Sequence, residues 1–410
     1  MKRQYLFLSI FLLMGLFQIT FAQKKDFVSV KDQNLYVNNK PFLIKGTNLG
    51  NWLNPEGYMF FFEKASSYRL INQAFCEMIG PDSTKNFWKN FKNNYITKED
   101  IFFIKNSGAN TIRIPFHYKL FTNEEYMGEA DANQGFKILD QVISYCKEAN
   151  LYVILDMHDA PGGQTGDNID DSYGYPWLLV NENNQKQFID IWTKIAKHYS
   201  NEKIILGYDL LNEPIATFFE KDYKTLNPLL EKLYKNCTLN IRKYDANHII
   251  IFSGAQWNQN FEVFNDFNFD KNIMYQCHMY GCLPEQECIQ KFIDFRTRSN
   301  FPMYMGETGE NTDEWCEKMR TLLEKNNIGW TFWPYKKLVK QAGMMMVPSP
   351  KNWNMIVDYT QKDRSDFSKI REARPDQELV KNALEELLEN IKYKNCIKNE
   401  GYIKALGLKP

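Results

Sequence analysis

The sequence predicts an α/β protein of the (β/α)8 TIM-barrel class, with a short N-terminal hairpin and a C-terminal helix plus tail. Three observations lead there. Eight apolar, strand-like runs recur along the chain, and helical patterns fall between them. The runs are apolar nearly throughout rather than alternating, which marks strands buried on both faces of a parallel sheet. Eight successive βα units in one chain close into a barrel.

The first residues are expected to lie outside that fold. Lys2 and Arg3 form a positive start, and Tyr5–Phe21 is almost wholly apolar. Thr20-Phe21-Ala22 then offers small residues at the positions a signal peptidase reads, so cleavage is expected before Gln23. The apolar run falls short of the roughly 20 residues that span a bilayer comfortably. No Cys follows the cleavage point to carry a lipid. Residues 1–22 are read as a removed export signal and residues 23–410 as a single domain, secreted or periplasmic. No later segment is apolar enough to cross a membrane, so no membrane contact is expected after cleavage.

Phe27–Phe42 reads as a small hairpin: FVSV, a polar turn, LYV, then Asn-Asn-Lys-Pro. The strand-like runs follow at Phe42–Leu49, Asn110–Phe116, Leu151–His158, Ile205–Leu211, His248–Gly254, Asn272–Tyr280, Phe301–Glu307 and Ile328–Trp333. Helical patterns between them include Gly135–Asn150, Lys186–Tyr199 and Asp313–Asn327. Lys336–Pro375 reads as a long loop. Gln377–Tyr393 is the expected last helix, with the tail Lys394–Pro410 packed after it or frayed.

Acidic and basic residues balance at 50 each, so there is no field to attract nucleic acid or an anionic membrane. A neutral polymer suits such a surface, and aromatic residues at 15% are abundant enough to line a sugar-binding cleft. Export permits disulfides. Of the eight Cys, the closest pair, Cys282 and Cys288, could staple its Pro-containing loop, while Cys146 and Cys277 sit in apolar segments as buried thiols. The His residues lack the spacings of a zinc hydrolase. No metal and no cofactor are expected, and His198 and His248 are read as structural. Asn236-Cys237-Thr238 fits a glycosylation sequon.

In a barrel of this kind the active site lies at the C-terminal ends of the strands. Asn48 and Glu56 follow the first run, Arg113 lies on the second, His158 ends the third, and Asn212 and Glu213 end the fourth. His278 and Tyr280 end the sixth, Glu307 the seventh and Trp333 the eighth. One such residue alone could be structural; Asn212-Glu213-Pro214 could merely cap a helix. Their concurrence at seven strand ends is harder to attribute to structure. Two carboxylates on separate strand ends, Glu213 and Glu307, are what glycosidic bond cleavage needs, one as a protonated acid and one as an ionised nucleophile or base. Glu310, three residues beyond Glu307, is expected to start the following loop or helix and to be dispensable.

This pattern resembles glycoside hydrolase family five of clan A over about Phe42 to Lys336, in TIRIP, LDMH, LLNEP, HMY, MGE and WTFWPYK. The resemblance implies a retaining double displacement with Glu213 as acid/base and Glu307 as nucleophile. Arg113 and Tyr280 would donate to Glu307, Asn212 would bond the sugar 2-hydroxyl and His278 would sit beside Glu213. His158 would hold hydroxyls, and Trp333 would stack on the sugar. NLGNWLNPEGY, RIPFHYKLF, HDAPGGQTGD and TFWPYK look more narrowly like the exo-β-1,3-glucanase branch, in which the position of Glu56 grips a terminal glucose. His117, Thr308 and Pro334-Tyr335 depart from that branch, which puts the sugar and linkage in question but not the reaction.

The function expected is therefore that of a secreted, monomeric β-glycosidase acting on a β-glucan or β-glucoside, exo-β-1,3-glucanase-like. The alternatives are an endo-β-1,4-glucanase or mannanase of the same family, and a carbohydrate-binding barrel without activity. The last should have lost a carboxylate, and both are present. Its partner is an oligo- or polysaccharide.

Overall fold

A computed structural model describes residues 26–338 and 342–410; the expected export signal lies outside these residues. Three strands, β1 (Ser29–Lys31), β2 (Asn34–Val37) and β3 (Lys40–Phe42), form an antiparallel sheet where a two-stranded hairpin was expected. The third strand forms because Lys40–Phe42 pairs back on Leu35–Val37. This sheet lies against the N-terminal ends of the barrel strands, with Val30 N donating to Asn272 Oδ1.

Eight parallel strands then close a barrel in sequence order. They are β4 (Lys45–Asn48), β5 (Thr111–His117), β6 (Tyr152–Asp159), β7 (Ile205–Asp209), β8 (Ile249–Ser253), β9 (Ile273–Met279), β10 (Met303–Thr308) and β11 (Gly329–Phe332), which returns to β4. Every expected run supplies one of them. All residues of β5, β6 and β9 are buried, in keeping with their near-continuous apolar character. Helices such as Gln134–Ala149, Glu182–Tyr199 and Asp313–Lys325 cover the barrel through one apolar face each, for example Phe188, Ile191, Trp192 and Ile195.

The segment Lys336–Pro375 is not a loop. It contains β12 (Lys336–Leu338), β13 (Met345–Val347) and the helices Trp353–Gln361 and Phe367–Ala373. Its charged start hides an inward anchor: Lys336 is fully buried, its ammonium 2.7 Å from Asp100 Oδ1 and donating to the carbonyls of Tyr95 and Ile391. Met344 and Met345 are buried beside it. The helix Gln377–Asn390 is not the last. The tail adds β14 (Ile397–Lys398), antiparallel to β13, and the helix Glu400–Ala405, with Tyr402 and Ile403 buried rather than frayed.

Cys282 and Cys288 form a disulfide, and Cys146 and Cys277 are buried free thiols. His198 and His248 pair with Asp140 and Asp245 on the barrel's outer layer. Asn236 is exposed on the helix Tyr223–Ile241, whereas Thr238 of the same sequon is buried.

Candidate active site

The C-terminal ends of the strands open into a cavity of about 520 Å³. Glu56, His158, Asn212, Glu213, Tyr280, Glu307 and Trp333 line it. Asn48, Arg113 and His278 lie buried around them and bond to these side chains or to the strands that carry them. All ten residues singled out in the sequence thus come together.

Arg113 organises the floor. It is completely buried and reaches three carboxylates: Asp209 Oδ2 at 2.8 Å, Asp156 Oδ2 at 3.0 Å and Glu307 Oε1 at 2.6 Å. It also donates to Asn48 Oδ1 and Asn212 Oδ1. Burial opposes its charge, but the carboxylates more than offset this and hold the guanidinium well above its usual range. Asp156 and Asp209 were not singled out. A signal existed: side chains at i and i+2 of a strand share a face, so Asp156 lies on the His158 side of β6. An arginine within a buried strand also requires partners on neighbouring strands.

Glu307 stands on a bulge. Strand pairing between β10 and β9 shifts between Met305 and Glu307, and a bulge re-aims the side chain after it. Gly306 makes this possible, because a Cβ there would collide with Gln276 Oε1. Glu307 accepts from Arg113 at Oε1 and from the Tyr280 hydroxyl at Oε2, 3.0 Å away. Burial, reinforced by Glu307, raises Tyr280 well above its usual range, so the phenol keeps its proton for that bond.

Glu213 has a left-handed backbone, φ 43°, immediately before Pro214. Such strain persists where neighbours over-determine it, and the loop after β6 does so. Thr165 Oγ1 donates to the Glu213 carbonyl at 2.8 Å, Gln164 Nε2 donates to the Asn212 carbonyl at 2.8 Å, and Ile215 N donates to Gln164 O at 2.9 Å. Burial pushes the Glu213 carboxyl up to about 7, against the pull of His158 and Arg113. His278 Nδ1 lies 2.7 Å from Glu213 Oε1 and 3.6 Å from Glu307 Oε2. Burial drives this imidazole down to about 3, so the ring is neutral near pH 7.

His158 places Nδ1 2.7 Å from Asp156 Oδ2, while its Nε2 accepts from Asn212 Nδ2 at 3.2 Å. Its ring is nearly parallel to Trp333, with centroids 5.4 Å apart. Trp333 passes so close to Gly50 that a Cβ there would stand 2.8 Å from the indole. Its Nε1 donates to the hydroxyl of Tyr58 at 2.7 Å, a cavity residue that sequence reasoning missed although it lies two positions beyond Glu56. Glu56 is 3% exposed, and its Oε1 has no hydrogen-bond partner. Burial raises its carboxyl well above the usual range, and the charges of Glu307, Glu310 and Glu213 add to this.

Glu310 also lines the cavity and pairs with Lys337. Asn168, Ile169, Gly281, Gly309 and Asn311 complete the wall. Beside it, His117 Nε2 approaches Asp159 Oδ2 at 3.2 Å and Asp171 Oδ2 at 3.8 Å. The Lys119 N–H donates to His117 Nδ1, which leaves the neutral ring's proton on Nε2, where a cation would have to bind. Chemically, the cavity offers a carboxyl that burial raises to about 7, a second carboxyl fixed by an arginine and a phenol, and an indole on its wall.

The profile of the family described as "Cellulase (glycosyl hydrolase family 5)" matches residues 73–339. A β-xylosidase of Phanerodontia chrysosporium is 27% identical over 74% of this chain and 69% of its own length. Endoglucanase C of Acetivibrio thermocellus is 28% identical over 62% of this chain and 87% of its own. The sporulation-specific glucan 1,3-β-glucosidase of Saccharomyces cerevisiae is 27% identical over 66% and 62%. An endogalactoceramidase structure superposes with a TM-score of 0.58 at 17% identity, covering 76% of this chain and 75% of that one, which shows the shared fold.

Proposed function

The chain belongs to glycosyl hydrolase family 5, the retaining hydrolases of β-glycosides, and from that premise we propose that it removes single sugars from the non-reducing ends of a β-glucan, β-1,3-linked chains foremost. Glu307 attacks the anomeric carbon, and Glu213 protonates the departing oxygen. The sugar is then held covalently on Glu307 until Glu213, now a base, activates water. Arg113 and Tyr280 steady the Glu307 carboxylate. Asn212 Nδ2 offers a hydrogen to the 2-hydroxyl, a bond that strengthens in the transition state. Trp333 supplies the apolar face on which the ring stacks.

The observation that carries the exo reading is the Glu56 oxygen. A buried carboxylate oxygen without a partner is costly; Oε1 of Glu56 is such an atom, almost closed off from solvent, on a residue that lines the cavity. A hydroxyl of a terminal sugar satisfies it, whereas a continuing chain would run into it. The likeness to a glucan 1,3-β-glucosidase favours the same linkage. Incubation with laminarin, cellulose oligosaccharides and aryl β-glucosides tests the proposal. Glucose is expected as the first product from laminarin; a ladder of oligosaccharides would point instead to an endo-glucanase or mannanase. Residues 1–22 direct export in this reading, and N-terminal sequencing of the secreted protein should begin at Gln23.

A further inference from the structure

We propose that Glu310, held from behind by Lys337, forms the end wall of the sugar pocket and selects the terminal sugar by bonding its outer hydroxyls. This rests on the exo reading above and assigns a specificity role to two residues outside the hydrolytic machinery.

Glu310 is placed for it. It follows Gly309, which bridges to Trp333, so its backbone runs beside that of the residue whose indole would carry the sugar. Its φ of 52° is left-handed, an unfavourable conformation for a residue with a Cβ. That conformation accompanies a side chain that lines the cavity with Glu56, Tyr58 and Trp333.

Lys337 arrives from the segment that reads as a loop in the sequence. On β12, successive side chains point to opposite faces. Lys336 turns inward to Asp100, and Lys337 turns to Glu310. The Lys337 side chain is 5% exposed and that of Glu310 is 26% exposed. A salt bridge at the surface would contribute little, but this lysine is drawn out of water behind a residue that lines the cavity. The lysine engages Glu310 Oε1, so Oε2 can accept from a hydroxyl. With Glu56 lining the same cavity, its far end presents two carboxyl groups with an ammonium behind one of them. Sugar hydroxyls both donate and accept, and fit such a set.

A site built to bond a hydroxyl discriminates strongly against a sugar that lacks it, by up to about 10⁴–10⁵. The test compares p-nitrophenyl β-glucoside, β-xyloside and β-galactoside; the xyloside lacks the hydroxymethyl group of the glucoside, and the galactoside inverts its 4-hydroxyl. Wild type, Glu310→Gln, Glu310→Ala, Lys337→Met and the double variant Glu310→Ala/Lys337→Met are assayed, with thermal unfolding as the control for folding. The preference of kcat/KM for the best sugar over the next is expected to fall about tenfold or more in Glu310→Ala and less in Glu310→Gln, with the alkaline limb of the pH profile unmoved. The double variant should lose no more than the worse single one, because the two residues act as a unit. Preferences within twofold of wild type in folded Glu310 variants would overturn the proposal and leave the exo reading standing. If wild type instead cleaves laminarin to oligosaccharides and none of the three monoglycosides, the exo reading fails and the end wall with it.

Discussion

Glu213 and Glu307 bring side-chain oxygens within 4.8 Å of one another across the cavity, with His278 between them. Carboxyls spaced about 5–5.5 Å apart suit double displacement, whereas inverting enzymes hold theirs about 6.5–9.5 Å apart to admit a water. The short separation gives the two groups different duties through their surroundings. Glu307 faces a cation and a phenol, and Glu213 faces a neutral imidazole in a site that burial makes hostile to charge.

Glu307→Gln should fold and be inactive, because an amide cannot form the glycosyl-enzyme. The fold is expected to hold, since Arg113 keeps Asp156 and Asp209 as partners. Turnover of an aryl β-glucoside, with thermal unfolding as control, checks this. Wild-type-like turnover in Glu307→Gln would remove the nucleophile assignment.

Glu213→Ala should lose about 10²–10⁴-fold on substrates whose leaving group needs a proton. A dinitrophenyl glycoside needs none and should still glycosylate Glu307. Azide should then accelerate release and yield the β-glycosyl azide, identifiable by NMR. An α-azide would be incompatible with two displacements.

Glu213 also sets the alkaline side of the pH profile. Burial raises its carboxyl to about 7, so the protonated acid dominates below that pH and is lost above it. For a substrate with a poor leaving group, kcat/KM should fall through about pH 7, and the dinitrophenyl glycoside should lack that limb. A descent already complete at pH 5 would show that burial does not govern this group.

Arg113→Met should be destabilising as well as inactivating. Removing the cation leaves three buried carboxylates within the reach it occupied. Breaking a buried ion pair from one side costs about 3–5 kcal/mol. Urea unfolding should show a marked drop in midpoint, and an unchanged midpoint would mean that these carboxylates are protonated independently of Arg113.

What the sequence made legible follows from which forces are local. Strands buried on both faces must be apolar along their length, so the runs that became β4–β11 stood out, and so did the polar groups that end them. Pairings made only in space did not. Asp209 lies within the ILGYDLL run, and its role depends on Arg113 two strands away. Lys336 and Lys337 look like solvent-facing charge in sequence, yet one is anchored by Asp100 and the other by Glu310. Glu310 itself lies past its strand end, and a left-handed turn returns it to the cavity. Periodicity carries no sign of such a turn.

Glu56 offers the sharpest test of where a glucan chain stops. The residue arrives from the loop after β4, is 3% exposed, and keeps Oε1 without a hydrogen bond, 4.0 Å from His158 Nε2. Because burial and neighbouring carboxylates raise its carboxyl well above the usual range, it can bind a terminal sugar as donor or acceptor. Glu56→Ala removes that partner and leaves the sugar's hydroxyl unpaired, a cost of about 1–3 kcal/mol. KM for short β-glucosides should rise accordingly, roughly 5- to 150-fold, while the alkaline limb set by Glu213 stays in place. The opened end should also admit a continuing chain, so laminarin digests should acquire laminaribiose and longer products alongside glucose. Should Glu56→Ala bind glucosides as wild type does and release only glucose, the carboxylate merely braces its loop, and another group closes the pocket.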